Sequence, residues 1–181
     1  FIAFTGLTNI LIFFLQESLN WTTKASSGTL VVVGVIAIIV QGGLIGPLVK
    51  KFGEMKLTLI GSGFILLACI LLISTPQENA IVNIYSAVSF LAIGAGLITP
   101  TLRALISKKL DGDNQGSILS NLQGLQSLGG VLGIGMAGRV YDDYGPKAPF
   151  FAGSIILILM IYLIAEGKNN KISYNRQIKS P

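Results

Sequence analysis

Charged residues leave this chain in long blocks and return in short ones. Residues 1–16, 25–49, 57–77, 79–102, 114–138 and 148–165 contain no Asp, Glu, Lys or Arg. A helix crossing about 30 Å of hydrocarbon needs about 20 residues, and every block but the first falls in the workable window of about 17–25. The pattern predicts an all-α membrane protein of six transmembrane helices, at about 1–17, 27–48, 57–75, 80–102, 115–138 and 148–165, followed by a polar, basic tail over 167–181 with no fold of its own. The first block opens at Phe1 with no basic flank, so it reads as a truncated span of a longer protein and not as a signal peptide.

A second pattern lies over the first. The segments Gly46-Pro-Leu-Val-Lys-Lys-Phe-Gly53 and Gly138-Arg-Val-Tyr-Asp-Asp-Tyr-Gly145 share one glycine spacing, stand 92 residues apart and each separate two apolar runs. In the same register Gly43 aligns with Gly135, Phe52 with Tyr144 and Gly61 with Gly153. Three spans carry a chain to the other side of a membrane, so a loop and its copy face opposite compartments. A 3+3 inverted repeat is therefore expected. The charges agree, since Lys50 and Lys51 stand where the copy has Asp142 and Asp143. Counting Lys and Arg along alternate connections gives ten on one side and three on the other. The retention of basic residues in the cytoplasm then puts the second, fourth and terminal connections, and so the C-terminus, inside.

Composition narrows the class. Only 12% of residues are charged, against about 25% in a soluble domain, and the mean hydropathy is +0.72. A soluble bundle would lack polar surface. The net charge of +5 is split among short loops and the tail instead of forming one stripe, which argues against nucleic acid. There is no His, and the single Cys69 lies mid-span as a packing residue, so metal sites, disulfides and the commonest general base are all missing. Ser120 and Ser127 have no base in reach within a span, which disfavours a membrane-embedded hydrolase. No enzyme and no cofactor is expected; a non-transport membrane scaffold is the distant alternative.

Within the spans, a few polar positions stand out. The fifth is the most polar, and at about 3.6 residues per turn Gln123, Gln126, Ser127 and Gly130 share a face. Amides inside a bilayer either line a pathway or bond a neighbouring helix. Asn9 in the first span is a further candidate for substrate lining, and Phe13, one turn on, is either an aromatic wall or a packing residue. Trp21 reads as an interfacial anchor. Ser26, Ser27 or Thr29 is expected to cap the second helix, and Gly61 and Gly63 to admit a close neighbour. Pro100 should free a carbonyl near residue 96, with Arg103 marking the start of the fourth connection. The turn-rich stretches at 75–79 and 108–115 should link spans three to four and four to five.

These residues resemble the C-terminal half of a major facilitator superfamily transporter, six helices of twelve, over the whole chain. Gly46 to Gly53 is similar to the superfamily's loop signature Gly-x-Leu-Ala-Asp-Arg-x-Gly-Arg, with Lys50 at its Asp position, Lys51 at its Arg position and Glu54 after the final Gly. Gly138 to Gly145 resembles it too and retains Asp142. Leu15-Gln-Glu17, the run at 41–49 and Tyr141-Asp-Asp-Tyr-Gly-Pro-Lys-Ala-Pro-Phe150 are similar to the tetracycline and multidrug proton antiporters. The resemblance implies a bacterial plasma-membrane protein that rocks against an N-terminal six-helix half around a midplane cavity, exchanging a small amphipathic substrate for protons. Its loop residues Gly46, Lys50, Lys51, Gly53, Gly138, Asp142 and Gly145 would then serve gating. An importer or facilitator of a sugar or organic anion is the alternative. No uncharged run contains an Asp, Glu or His to carry a proton, so coupling is expected in the other half.

Overall fold

Helix formation here follows from long apolar runs with good helix formers and few breakers, and the computed structural model describes residues 2–75, 80–107 and 115–179. The described residues form six helical rods and no strand. These are α1 (Ile2–Leu19), α2 (Thr23–Phe52, with a π turn at Val40–Leu44), α3 (Glu54–Ile73), α4 (Ala80–Ser107), α5 (Gln115–Tyr144) and α6 (Ala148–Lys179). The expected turns at 76–79 and 108–114 lie outside the described residues. By length and apolar composition α2, α3 and α4 can each cross a membrane. Shorter apolar stretches occupy Phe4–Leu19 of α1 and Ala148–Ile164 of α6. The amides and glycines that dilute α5 keep it out of that group.

Several boundaries differ from expectation. The cap of α2 is Thr22, whose hydroxyl accepts from the Ala25 N–H at 3.3 Å. Ser26 and Thr29 instead lie buried inside the helix, because Thr22 already holds the extended backbone that an N-cap requires. The two glycine-flanked segments are helix ends more than loops. Each continues its helix until the last glycine, Gly53 at φ 76° or Gly145 at φ 89°, turns the backbone into the region where a Cβ is costly. Each of these glycines donates its N–H to the carbonyl four residues back, Val49 or Tyr141, at 2.9 Å. They are the only glycines with positive φ among the described residues. α4 runs through Pro100 to Ser107, so Arg103 is helical and not part of a connection. α6 continues past residue 165 to Lys179, with no proline in that stretch to stop it.

The core is shared by α1, α3, α4 and α6, through residues such as Leu11, Phe14, Ile65, Leu72, Ile84, Val88 and Phe150. Phe14 meets Phe150 edge to face at 5.2 Å. Cys69 is buried in the same cluster. Within the bundle α3 packs most extensively on α4, then α1 on α5 and α2 on α4. Small residues set these distances. A Cβ on Gly61 would lie 2.9 Å from the Gly94 carbonyl oxygen, and one on Gly94 would lie 2.6 Å from that of Gly61. Gly133 sits under the backbone of Ile2, Gly96 under Val40, and Gly153 under Leu7. Between α3 and α4 the hydroxyls of Thr58 and Thr101, both fully buried, share a bond of 3.0 Å. The Thr101 hydroxyl also donates back to the Leu97 carbonyl, which keeps this stretch of polar backbone satisfied one residue past the proline.

Outside the core, α2 and α5 expose long apolar faces: Val31, Val35 and Ile38 on one, Leu125, Leu128, Val131 and Leu132 on the other. Exposure of this extent marks a surface made for lipid or another protein.

The close approach at Gly94 can be checked directly. Gly94→Ala should destabilise the full-length protein by about 1–3 kcal/mol, seen as a lower thermal midpoint in detergent. Gly63→Ala, with nothing within 4 Å of its added Cβ, should leave the midpoint unchanged or slightly raised. Equal midpoints for the two variants would contradict the packing described here.

Candidate functional site

The most polar place among the helices lies where the last turns of α4 face the first half of α5. Because α4 continues past Pro100, Arg103 is carried one turn beyond the proline, opposite Gln123 and Gln126. Its Nη2 donates to Oε1 of Gln123 at 3.0 Å and to Oε1 of Gln126 at 3.2 Å. A guanidinium has only donors, so the amide atoms facing it must be oxygens. The two NH2 groups are therefore turned away from Arg103. Nε2 of Gln126 is shielded from solvent and has no partner. Arg103, Gln123 and Gln126 line a cleft of about 370 Å³ with Ala104, Ser107, Leu119 and Leu122. That volume is at the small end of ligand pockets.

Three of the five expected lining residues thus gather on one stretch of α5. Ser127 stands next to Gln126, but its hydroxyl donates to the Gln123 carbonyl of its own helix at 3.0 Å. Asn9 and Phe13 are not brought to this cleft. Asn9 is exposed and donates to the Thr5 carbonyl within α1, and Phe13 is 59% exposed. Arg103 is the residue that reading the sequence missed. An end to the uncharged run at residue 102 suggested a connection, whereas the string Leu-Arg-Ala-Leu-Ile at 102–106 has good helix formers throughout and was the signal available.

At the opposite end of α5 a second polar contact ties two rods together. The Tyr141 hydroxyl donates to Glu17 Oε2 in a short bond that links the end of α1 to the end of α5. Tyr141 is buried. Burial first, then the bond to Glu17 and the nearby negative charges of Glu17 and Asp142, push its phenol well above the usual tyrosine range. It remains a neutral donor at any physiological pH. The ring centres of Trp21 and Tyr85 lie 6.2 Å apart, and Gln16 donates to Thr23 at 3.3 Å.

The two glycine-flanked segments differ in electrostatics. Lys50 and Lys51 are exposed in the last turn of α2, where cations favour the negative end of the helix dipole. The Lys51 ammonium sits 5.4 Å from the Phe52 ring centre. In the copy, Asp142 and Asp143 occupy the same positions relative to their helix, where acids are disfavoured. Arg139 offsets this by pairing with Asp143 at 3.1 Å, an exposed contact of small worth. Gly46 and Gly138 lie within their helices, with nothing within 4 Å of where a Cβ would sit. Among the described residues the carboxylates of Glu17, Glu54, Asp142 and Asp143 lie in the first or last turn of their helices, and Glu166 lies beyond the apolar stretch of α6. No group of His, Cys, Asp and Glu that could hold a metal occurs among them.

Comparison with known proteins adds the following. The sequence profile of the Major Facilitator Superfamily matches residues 1–134. The chain is 30% identical over 155 residues to the class H tetracycline resistance protein of Pasteurella multocida, covering 84% of this chain and 38% of that protein. It is 26% identical over 135 residues to the class C tetracycline resistance protein of Escherichia coli, covering 72% of this chain and 32% of that protein. With multidrug resistance protein 2 of Bacillus subtilis it shares 22% over 158 residues, 87% of this chain and 38% of that protein. The chain thus spans about two fifths or less of the length of these relatives. No solved structure matches it.

The contact between α1 and α5 generates a test. Tyr141→Phe removes the donor to Glu17 and should cost about 1 kcal/mol. Hydrogen exchange should quicken at the backbone amides of the last turns of α1 and α5 and stay unchanged in α3. Unaltered exchange at both ends would mean that the bond holds nothing together.

Proposed function

We propose, from the family to which this chain belongs, the Major Facilitator Superfamily, that it is the C-terminal half of a secondary active transporter that exports small amphipathic compounds or drugs. Its working partner is an N-terminal six-helix half of the same protein, and the driving reaction is proton antiport with alternating access. The observation that carries this reading is the joint match to the family and to relatives named for tetracycline and multidrug resistance.

The packing supports the rest of the proposal. α1, α2 and α3 correspond to α4, α5 and α6, in a repeat of opposite orientation. Exchanging the two sets maps the α3 to α4 contact at Gly61 onto the α6 to α1 contact at Gly153. It likewise maps the contact of Gly96 with α2 onto the approach of α1 to Gly133 in α5. Both sets end their second rod on a positive-φ glycine. In the proposed topology Lys50, Lys51 and the C-terminus face the cytoplasm of a bacterial cell, Glu17 and Asp142 face outward, and residues 167–181 form the cytoplasmic tail. The exposed faces of α2 and α5 meet the other half or lipid. Gln123, Gln126 and Ser127 border the substrate path, with Asn9 and Phe13 on the separate face of α1. The glycine-ended segments take part in gating. As the long uncharged runs hold no carboxylate, the proton carrier belongs to the other half.

A second reading, import or facilitated passage of an organic anion, is favoured by one observation: Arg103 sits in a cleft lined by apolar groups and amides.

Two measurements test the proposal. An antibody to the tail should detect a native polypeptide near twice this chain's 19.1 kDa in its source membrane; a band at the chain's own mass would overturn the half-transporter. Cells expressing the full protein should accumulate less of an amphipathic drug than controls, and collapsing the proton gradient should erase the difference. Glu17→Gln and Asp142→Asn proteins should keep most of that export. If either substitution abolishes it while neutralising acids in the other half does not, the proposed seat of coupling is wrong.

A further inference from the structure

We infer that the cleft between α4 and α5 binds an anionic oxygen group, such as a carboxylate or enolate, on an otherwise apolar ligand. This deepens the proposed function and rests on the same reading of the cleft as part of the substrate path. Three observations converge. Among the described residues the cleft is lined by one cation, Arg103, and by no carboxylate. Both amide oxygens are already engaged by one guanidinium nitrogen, Nη2. What Arg103 can still offer is its remaining guanidinium N–H groups, all of them donors, with the Ser107 hydroxyl in the same lining. Finally, Nε2 of Gln126 is withdrawn from solvent without a partner, a cost that an incoming oxygen acceptor would relieve.

The arrangement is selective by its sign. Arg103 holds the two amide oxygens toward itself, so a ligand ammonium would meet a like charge. A carboxylate would meet the free guanidinium donors of Arg103 in charge-assisted bonds. Leu119, Leu122 and Ala104 supply the apolar wall for the ligand's body. The same chemistry is offered by a soluble amphipathic acid and by an anionic lipid headgroup, and the test separates them.

Full-length protein in nanodiscs of phosphatidylcholine would be titrated with three probes sharing one aromatic body: 2-naphthoate, 2-naphthamide and 2-naphthylmethylammonium. The naphthoate should bind tightest. Arg103→Gln should weaken naphthoate about tenfold or more, the scale of one hydrogen bond to a charged group, while the amide and ammonium shift less than about twofold. Gln126→Leu should weaken naphthoate alone by a smaller factor. Equal loss of all three probes in Arg103→Gln would overturn the inference, since Arg103 would then only brace α4 against α5. Should that variant fail to fold, the ranking on the unmodified protein decides: ammonium equal to or tighter than naphthoate sinks the idea. Adding phosphatidylglycerol to the nanodiscs tells the sources apart. Competition with naphthoate assigns the site to a lipid headgroup, and unchanged binding assigns it to a soluble acid. Export by cells of neutral and cationic compounds without any naphthoate preference in binding would refute this inference and leave the transport reading intact. Selective naphthoate binding without export of any compound would do the reverse.

Discussion

The backbones of α3 and α4 meet at Gly61 and Gly94, and the remaining helices take their places around that contact. In a bilayer there is little hydrophobic gain from joining two apolar helices, because lipid tails are as apolar as leucine. Attraction has to come from close packing and from polar groups matched across the seam. Here both occur together: the glycines allow backbone contact, and the buried Thr58 and Thr101 hydroxyls bond to one another, about one turn from Gly61 and about two turns from Gly94. Once α4 is fixed to α3, its other faces are committed. Gly96 receives Val40 of α2, Leu91 and Val88 join the core of α1 and α6, and the end beyond Pro100 is left to meet α5.

That last consequence joins packing to chemistry. A proline in a helix removes one hydrogen bond and would ordinarily invite a break. The neighbouring Thr101 is anchored on both sides, to Thr58 across the seam and to Leu97 and Ile98 within α4. The helix is thus held in register for another turn and a half, which is what places Arg103 against the amides of α5. The polar cleft depends on this seam, although none of the seam's residues touches it.

Much of this was legible from the order of residues. Six rods follow from where charge is absent, whereas the two glycine-flanked segments, read as loops, continue their helices to Gly53 and Gly145. The clustering of Gln123, Gln126 and Ser127 follows from helical spacing alone. What was not legible depended on contacts between distant parts. The start of α2 was read as Ser26, Ser27 or Thr29 because all three can cap, but only the backbone at Thr22 decides which hydroxyl faces an exposed N–H. Arg103 was read as a loop residue because charge was taken to end a membrane helix, whereas an arginine can remain helical when facing groups receive its donors. Asn9 shares the polarity of the α5 amides but not their location, since a lone amide in a helix can bond its own backbone.

The position of charge also bears on how such a half-bundle could work. The described carboxylates lie at helix ends and in the last helix beyond its apolar stretch, and Arg103 has the amides of α5 as hydrogen-bond partners. The chain has no His and its long uncharged runs hold no carboxylate, so these spans offer no acidic or imidazole seat for a proton. It does have a fixed positive site whose amide partners are neutral. An anionic ligand entering there would lower the cost of that charge, while a change of state that covered the cleft without a ligand would leave the guanidinium more poorly solvated. Binding and closure are then favourably linked. Under the proposed antiport, ligand charge would be sensed in this half and proton charge elsewhere, and coupling between them would pass across the exposed apolar faces of α2 and α5.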